Sequence, residues 1–214
     1  MRTRRRSAAA LALAAMLAGC GVAALALAAM LAGCGTGAST MTALPPDVIP
    51  VPAGRTAAYR LPSLSAATRR RAPVGGLRCT RSHPRVFGAH LDLYAHRLVA
   101  PIPAGIGIAP PQRRAGAYVR GGACAYPLRT YEPTGVIFVD AGSALTLAQL
   151  FALWGQPLGT ADVAGFHGRV ITFLNGRRWR GSPGTIPLSR HAEVVIEVGG
   201  YVAPHPRYRF EPGL

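Results

Sequence analysis

Val86-Phe87-Gly88-Ala89-His90-Leu91-Asp92-Leu93-Tyr94 is the stretch whose reading decides the fold class. From Ala89 onward it alternates, with Leu91 and Leu93 on one side and His90 and Asp92 on the other, the period-two pattern of a strand with one buried and one solvated face. Downstream, Leu98 to Ile108 holds two prolines and two glycines, as an edge strand and turn would. Gly135-Val136-Ile137-Phe138-Val139-Asp140 is a continuous apolar run that suits an inner strand. Arg169-Val170-Ile171-Thr172-Phe173-Leu174 leads into Asn175-Gly176, the dipeptide best matched to a tight type I′ hairpin turn. Ile186-Pro187-Leu188 and the alternating Glu193-Val194-Val195-Ile196-Glu197-Val198 are expected to complete the sheet.

One helix stands out. Ser143 or Thr146 can cap a segment in which Leu147, Leu150, Phe151 and Trp154 recur at helical spacing, and Gly155 and Pro157 stop it. These elements predict an α+β domain, an antiparallel-rich sheet with one principal helix. It is expected to run from Leu77 to Leu214, about 140 residues, enough for one core. Cys79 and Cys124 fall inside it without any C-x-x-C, and in an oxidising compartment such a pair is expected to form a disulfide.

The start of the chain reads differently. Met1 to Arg6 contains four arginines, and Ser7 to Gly33 contains no charged residue, the pattern of a positive n-region and an apolar h-region. The text AALALAAMLAGCG occurs at Ala9 to Gly21 and again at Ala23 to Gly35, so Leu-Ala-Gly-Cys stands twice, ending at Cys20 and at Cys34. Both resemble the bacterial lipobox, which implies cleavage before the cysteine and acylation of its sulfur. Cys34 is favoured because polar sequence begins only after it; an uncut anchor is the alternative, since the run exceeds the roughly 20 residues that span a bilayer. The expected organisation is a signal segment over 1–33, a flexible proline-rich linker over 34–76 with prolines at 45, 46, 50, 52, 62 and 73, and the domain over 77–214.

All 24 basic residues are arginine against eight acids, a net charge of +16 that includes the four signal arginines. So basic a protein is drawn to anionic surfaces. Export and the scattered placement of the arginines argue against nucleic acid. The complete lack of lysine points to a coding bias behind part of this charge.

Several segments in order resemble a family of exported bacterial proteins of largely uncharacterised function. They are a cysteine before a histidine-bearing strand, Pro103-Ala104-Gly105-Ile106-Gly107-Ile108, a second cysteine before Gly135-Val136-Ile137, Trp154-Gly155-Gln156-Pro157-Leu158, Asn175-Gly176, Ile186-Pro187-Leu188 and Pro212-Gly213-Leu214. The resemblance implies histidines at H-x-H-x-H-L and L-H-T-H-x-x-x-G-x-I-H, and imidazoles two apart on a strand share a face suited to copper or zinc. Here Val86 and Gly88 precede the one remaining His90, Arg129 and Tyr131 replace the H-T-H pair, and Phe138 replaces the strand histidine. Neither arginine nor phenylalanine has a lone pair for a metal.

Candidate chemistry is therefore sparse. His90, Asp92 and His96 are a candidate three-ligand metal site if the strand continues past Tyr94; otherwise they are polar residues of a solvated face. Arg177, Arg178, Trp179 and Arg180 follow the hairpin turn and form a candidate anionic-surface contact, or else a solvated hairpin with Trp179 on the core. His83, His167 and His205 read as turn histidines, and His191 with Glu193 as a base with its orienter. Ser143, Ser182 and Ser189 lack the setting of a nucleophile elbow. The expectation is a non-catalytic envelope lipoprotein, held to the membrane by its lipid, acting at an anionic surface without a cofactor; the alternative is a periplasmic transition-metal binder with a degenerate or lost site.

Overall fold

The structure, a computed structural model, describes Thr56 and residues 59–83, 85–142, 144–202, 205 and 207–214. Cys20, Cys34, the duplicated signal and most of the stretch before Tyr59 lie outside these residues, as does Ser143.

The opening stretch forms β1, Val86–Ala95, at the centre of the main sheet. The other members are β2 (Leu98–Val99), β5 (Leu128–Arg129), β6 (Val136–Asp140), β9 (Val170–Leu174), β10 (Arg177–Trp179) and β11 (Glu193–Val198). Two small hairpins lie apart, β3 (Arg113–Ala115) with β4 (Tyr118–Gly121), and β7 (Asp162–Val163) with β8 (Phe166–His167). The main order is β10-β9-β11-β1-β6-β5, with β2 beside the end of β1. β1 pairs with β11 in parallel, from His90 opposite Glu193 to Ala95 opposite Val198, and every other pair in this sheet is antiparallel. Among the described residues strand outweighs helix, with one substantial helix and a second of four residues.

Strand pleating sends Ala89, Leu91 and Leu93 of β1, Ile137 and Val139 of β6, and Val194, Ile196 and Val198 of β11 to one face, and this face carries the core. The helix, α2 (Leu147–Trp154), covers it with Leu147, Leu150, Phe151 and Leu153. Its start is fixed by the Thr146 N–H donating to Gln149 Oε1 at 2.9 Å, and its end by Gly155, left-handed at φ 77°. The Asn175-Gly176 turn has φ 51° and 74°, both positive as a type I′ turn demands.

Three expectations are corrected. The linker over 34–76 and the domain start at Leu77 are wrong for the described residues from Tyr59 onward: a short helix, α1 (Ala66–Arg69), docks on α2, and Leu64, Thr68 and Val74 are buried. Polar contacts hold it alongside the buried Leu64 and Val74. Thr68 Oγ1 donates to the Leu153 carbonyl at 3.1 Å, the Ser65 N–H to the same oxygen at 3.3 Å, and Tyr126 Oη to the Ala72 carbonyl at 2.6 Å.

The second correction concerns Leu98 to Ile108, of which only Leu98–Val99 is strand. Beyond Val99, a buried loop carries Ile102, Ala104, Ile106 and Ile108 and lies against β5, where a Cβ on Gly107 would sit 1.9 Å from the Leu128 carbonyl oxygen. Thirdly, Ile186-Pro187-Leu188 is not part of the sheet. Ile186 and Leu188 are buried beside the start of α2 through hydrogen bonds with Leu147 and Leu145.

The expected disulfide joins Cys79 to Cys124, 45 positions apart in sequence and with Cα atoms 5.6 Å apart, next to the backbone pairing of Thr80 with Ala125. Closing a loop of that length removes unfolded-state entropy worth roughly 2–4 kcal/mol. Replacing both cysteines by serine is expected to lower unfolding free energy by about that amount, read from urea denaturation; an unchanged midpoint would show that the loop is held by its other contacts alone.

Candidate functional site

The second face of the main sheet carries the ionisable groups. His90, Asp92 and Tyr94 project from β1, Phe138 and Asp140 from β6, Arg129 from β5, and Glu193 and Glu197 from β11, all at positions alternating with the core residues. This face was expected to be solvated, and that expectation is corrected: His90 and Asp92 are each 4% exposed and Glu197 is fully buried.

The covering is the chain itself. Described residues of 199–214 cross the polar face, with Tyr208 stacked on His90 at 4.2 Å and 11°, and Phe210 stacked on His191 at 4.4 Å and 12°. Phe210 also fills the space over Gly88, where a Cβ would lie 2.6 Å from its ring. His191 Nε2 donates to the Leu214 carbonyl at 2.6 Å, so the expected base is spent on holding this strap. Glu193 accepts from the Tyr208 N–H at 3.3 Å and also serves the strap.

Beneath it, His90 Nε2 lies 2.8 Å from the Thr134 carbonyl, which can only accept, so this nitrogen carries the proton and Nδ1 is left unprotonated. Asp92 Oδ2 lies 3.6 Å from Nδ1, an approach without a hydrogen bond. Burial pushes the His90 imidazole down to about 4, opposed by the Thr134 hydrogen bond. It pushes the Asp92 carboxyl up to about 7, aided by the negative charge of Glu193. Farther along, Glu197 Oε1 accepts from the Val202 N–H at 2.7 Å and from His205 Nε2 at 2.8 Å.

His96 does not join His90 and Asp92. β1 ends at Ala95, His96 enters the turn at φ 50°, and its ring lies against Gly199. Among the described residues no three His, Cys, Asp or Glu side chains form a group fit for a metal ion, so the three-ligand site is corrected as well. The positions where the resemblance implies imidazoles nevertheless share a face: Gly88 pairs with Phe138, Phe138 with Arg129, and Tyr131 packs edge-on against Phe138 at 4.9 Å.

A polar network missed in the sequence has formed there. Arg129, 3% exposed, donates from Nη1 to Asp140 Oδ1 at 2.7 Å and to the Tyr126 carbonyl at 3.2 Å, and from Nε to Tyr131 Oη at 3.0 Å. Asp140 Oδ2 takes the Nδ1 proton of His83 at 2.5 Å, which leaves His83 Nε2 facing the Thr80 hydroxyl at 3.2 Å. The signals were an acid closing an apolar strand on the parity of Phe138, and a histidine four residues after a disulfide cysteine.

The hairpin arginines do not form one aromatic, cationic patch. Arg177 and Arg178 sit on opposite faces of β10, and Trp179 turns to the core face and donates from Nε1 to the Ser182 carbonyl at 3.2 Å. Arg177, Arg178 and Arg180 are exposed. His167 stays near Asp162 in the exposed β7–β8 turn.

Asp92 and His90 have opposite pH signatures. A carboxyl raised in the fold weakens it as pH climbs from about 4 to about 7, whereas an imidazole lowered in the fold weakens it as pH falls from about 6.5 to about 4. The slopes oppose across that window. Asp92→Asn is therefore expected to stabilise the protein at pH 8 by on the order of 2–4 kcal/mol and to leave it unchanged at pH 4, measured by denaturation at both. A loss of stability at pH 8 would mean that the buried carboxylate has a compensating partner.

No family model, curated protein or solved structure matches this chain.

Proposed function

We propose that this chain is an exported lipoprotein of the cell envelope, anchored through Cys34 or Cys20, whose α+β domain binds an anionic surface and performs no catalysis. The signal pattern and the doubled Leu-Ala-Gly-Cys motif support the anchor. Stable anchoring takes more than one acyl chain, which bacterial lipoproteins carry.

The observation that carries the surface reading is the imbalance between arginines and available acids. With Arg2, Arg4, Arg5 and Arg6 removed with the signal, 24 − 4 = 20 arginines face eight carboxylates, and several of those are committed: Asp92 and Glu197 are buried, Asp140 is held by Arg129 and His83, and Asp162 lies near His167. The arginines on the outside, among them Arg177, Arg178 and Arg180 on the hairpin, therefore set the field that an approaching surface meets.

A second reading, a transition-metal protein whose site has lost its ligands, is favoured by one observation, the shared sheet face of Gly88, His90, Arg129 and Phe138. Loading the full chain with copper or zinc tests whether a degenerate site is retained, which would hold close to one equivalent after desalting.

The anchor is tested by palmitate labelling, which the wild type is expected to show and Cys20→Ala with Cys34→Ala to abolish; a wild type that takes no label overturns the lipid anchor in favour of an uncut span. For the surface, the full chain reconstituted in neutral vesicles is expected to dock onto phosphatidylglycerol vesicles at about 50 mM salt and to release near 500 mM, as screening requires. Docking indifferent to salt would end the electrostatic reading.

A further inference from the structure

Beside the disulfide lies a cleft of about 270 Å³, lined by Thr80, Arg81, His83, Arg113, Tyr131 and the backbone from Gly121 to Ala125. That size falls below the roughly 300–1,000 Å³ of sites for drug-sized molecules, so it suits a compact group. We propose that this cleft binds a phosphate-type oxyanion, a phosphate monoester or inorganic phosphate, through Arg81 and Arg113. The inference deepens the anionic-surface reading and rests on it only where the oxyanion is a lipid headgroup.

Charge selects the ligand class. Among the described residues no carboxylate lines the cleft, while two arginines do. Asp140, which contacts His83 in the cleft wall, has one oxygen on Arg129 and the other on His83, so its charge is spent inside the wall instead of opposing an anion in front of it. An acid-free cleft walled by protein focuses positive potential more strongly than scattered surface arginines do.

The wall is rigid. Arg129 is buried and hydrogen-bonded to Asp140, the Tyr126 carbonyl and Tyr131, and the Asp140 bond to Nδ1 directs His83 Nε2 to the Thr80 side. Tyr131 Oη accepts from Arg129 Nε, which leaves its own O–H proton free to donate. Across from them, Arg113 is exposed and its guanidinium lies over Gly121, where a Cβ would come within 2.6 Å of Nη2. Gly122 is tighter still, with a Cβ position 2.2 Å from the Ala109 carbonyl oxygen. The glycine pair thus lets Arg113 fold back over the strand end. The Cys79–Cys124 bond ties the two sides together, since Cys124 lines the cleft and Cys79 precedes Thr80.

Planar guanidinium forks match phosphate oxygens in pairs, and two of them with a phenol favour a tetrahedral dianion over a single carboxylate. Arginine in place of lysine adds geometric selection to charge.

The test is titration of inorganic phosphate into the full chain in neutral detergent micelles by calorimetry. The wild type is expected to bind saturably. Arg81→Gln with Arg113→Gln should weaken binding at least tenfold, and Arg177→Gln with Arg178→Gln should leave it unchanged. Absence of binding up to about 10 mM, or equal weakening by the hairpin pair, overturns the cleft; all four side chains are exposed, and circular dichroism checks that the fold is kept. The sources are then separated by docking of reconstituted vesicles. Stronger docking onto phosphatidic acid than onto phosphatidylglycerol at equal charge, competed by phosphate, assigns the headgroup; saturable phosphate binding without that preference assigns the soluble ion. Docking to all anionic vesicles with no phosphate binding sinks the cleft and leaves the surface reading standing.

Discussion

Burial of the central strand on both faces is the constraint from which the rest of this structure follows. Eight of the ten residues of β1 are buried, yet only one face is apolar. The other presents His90, Asp92 and Tyr94, and drying those groups requires a cover that can meet polar atoms as well as exclude water. Segment 199–214 supplies it through aromatic rings laid flat on imidazoles, Tyr208 on His90 and Phe210 on His191. Such stacks tolerate a polar partner because the ring faces meet π-system to π-system while the nitrogens remain free for in-plane hydrogen bonds.

The cover fixes the protonation of what lies below it. His90 keeps its Nε2 proton for the Thr134 carbonyl and stays neutral, because an imidazolium there would have to give up its hydration. Asp92 cannot use that imidazole as a counter-ion, and Glu193 nearby makes its charge still less favourable. A buried pair of this kind contributes little to stability by attraction. What holds the region is shape: Phe210 occupies the volume that any side chain at position 88 would fill, so Gly88 and the strap are a matched set.

Much of the framework could be read in the chain because its signals are local. The alternation of Ala89 to Tyr94, the Asn175-Gly176 turn and the spacing of Leu147, Leu150 and Phe151 each specify an element without reference to distant residues. What could not be read depends on long-range contact. Period-two alternation says that one face is apolar; it does not say that the other is open, and nothing local to His90 and Asp92 announces the strap, more than 100 residues on, that buries them. The docked stretch around α1 escaped notice for a related reason. Its anchors are Thr68, Ser65 and backbone atoms meeting Leu153 and Tyr126, and a proline-rich sequence of small residues carries no periodic trace of hydrogen bonds made across the fold. His83, Arg129 and Asp140 are 46 and 11 positions apart, and only the pairing of β5 with β6 brings them into one network.

That network bears on why a mostly apolar strand pair should end in charges at all. Replacing a buried ion pair with well-packed apolar residues is often neutral or stabilising, so the Arg129–Asp140 pair has no strong claim as a stabiliser. Phe138, one step away on the same face and packed edge-on against Tyr131, is an apolar solution within the same patch. What the charged pair adds is orientation: with Asp140 bound to Arg129 on one oxygen, the other is fixed toward His83, and the imidazole is fixed in turn beside Thr80 and the disulfide. A phenylalanine at 140 would fill the space and leave that ring free to turn. The charges are accounted for by the direction in which they hold His83, at the mouth of an acid-free cleft, more readily than by the energy with which they hold β5 to β6.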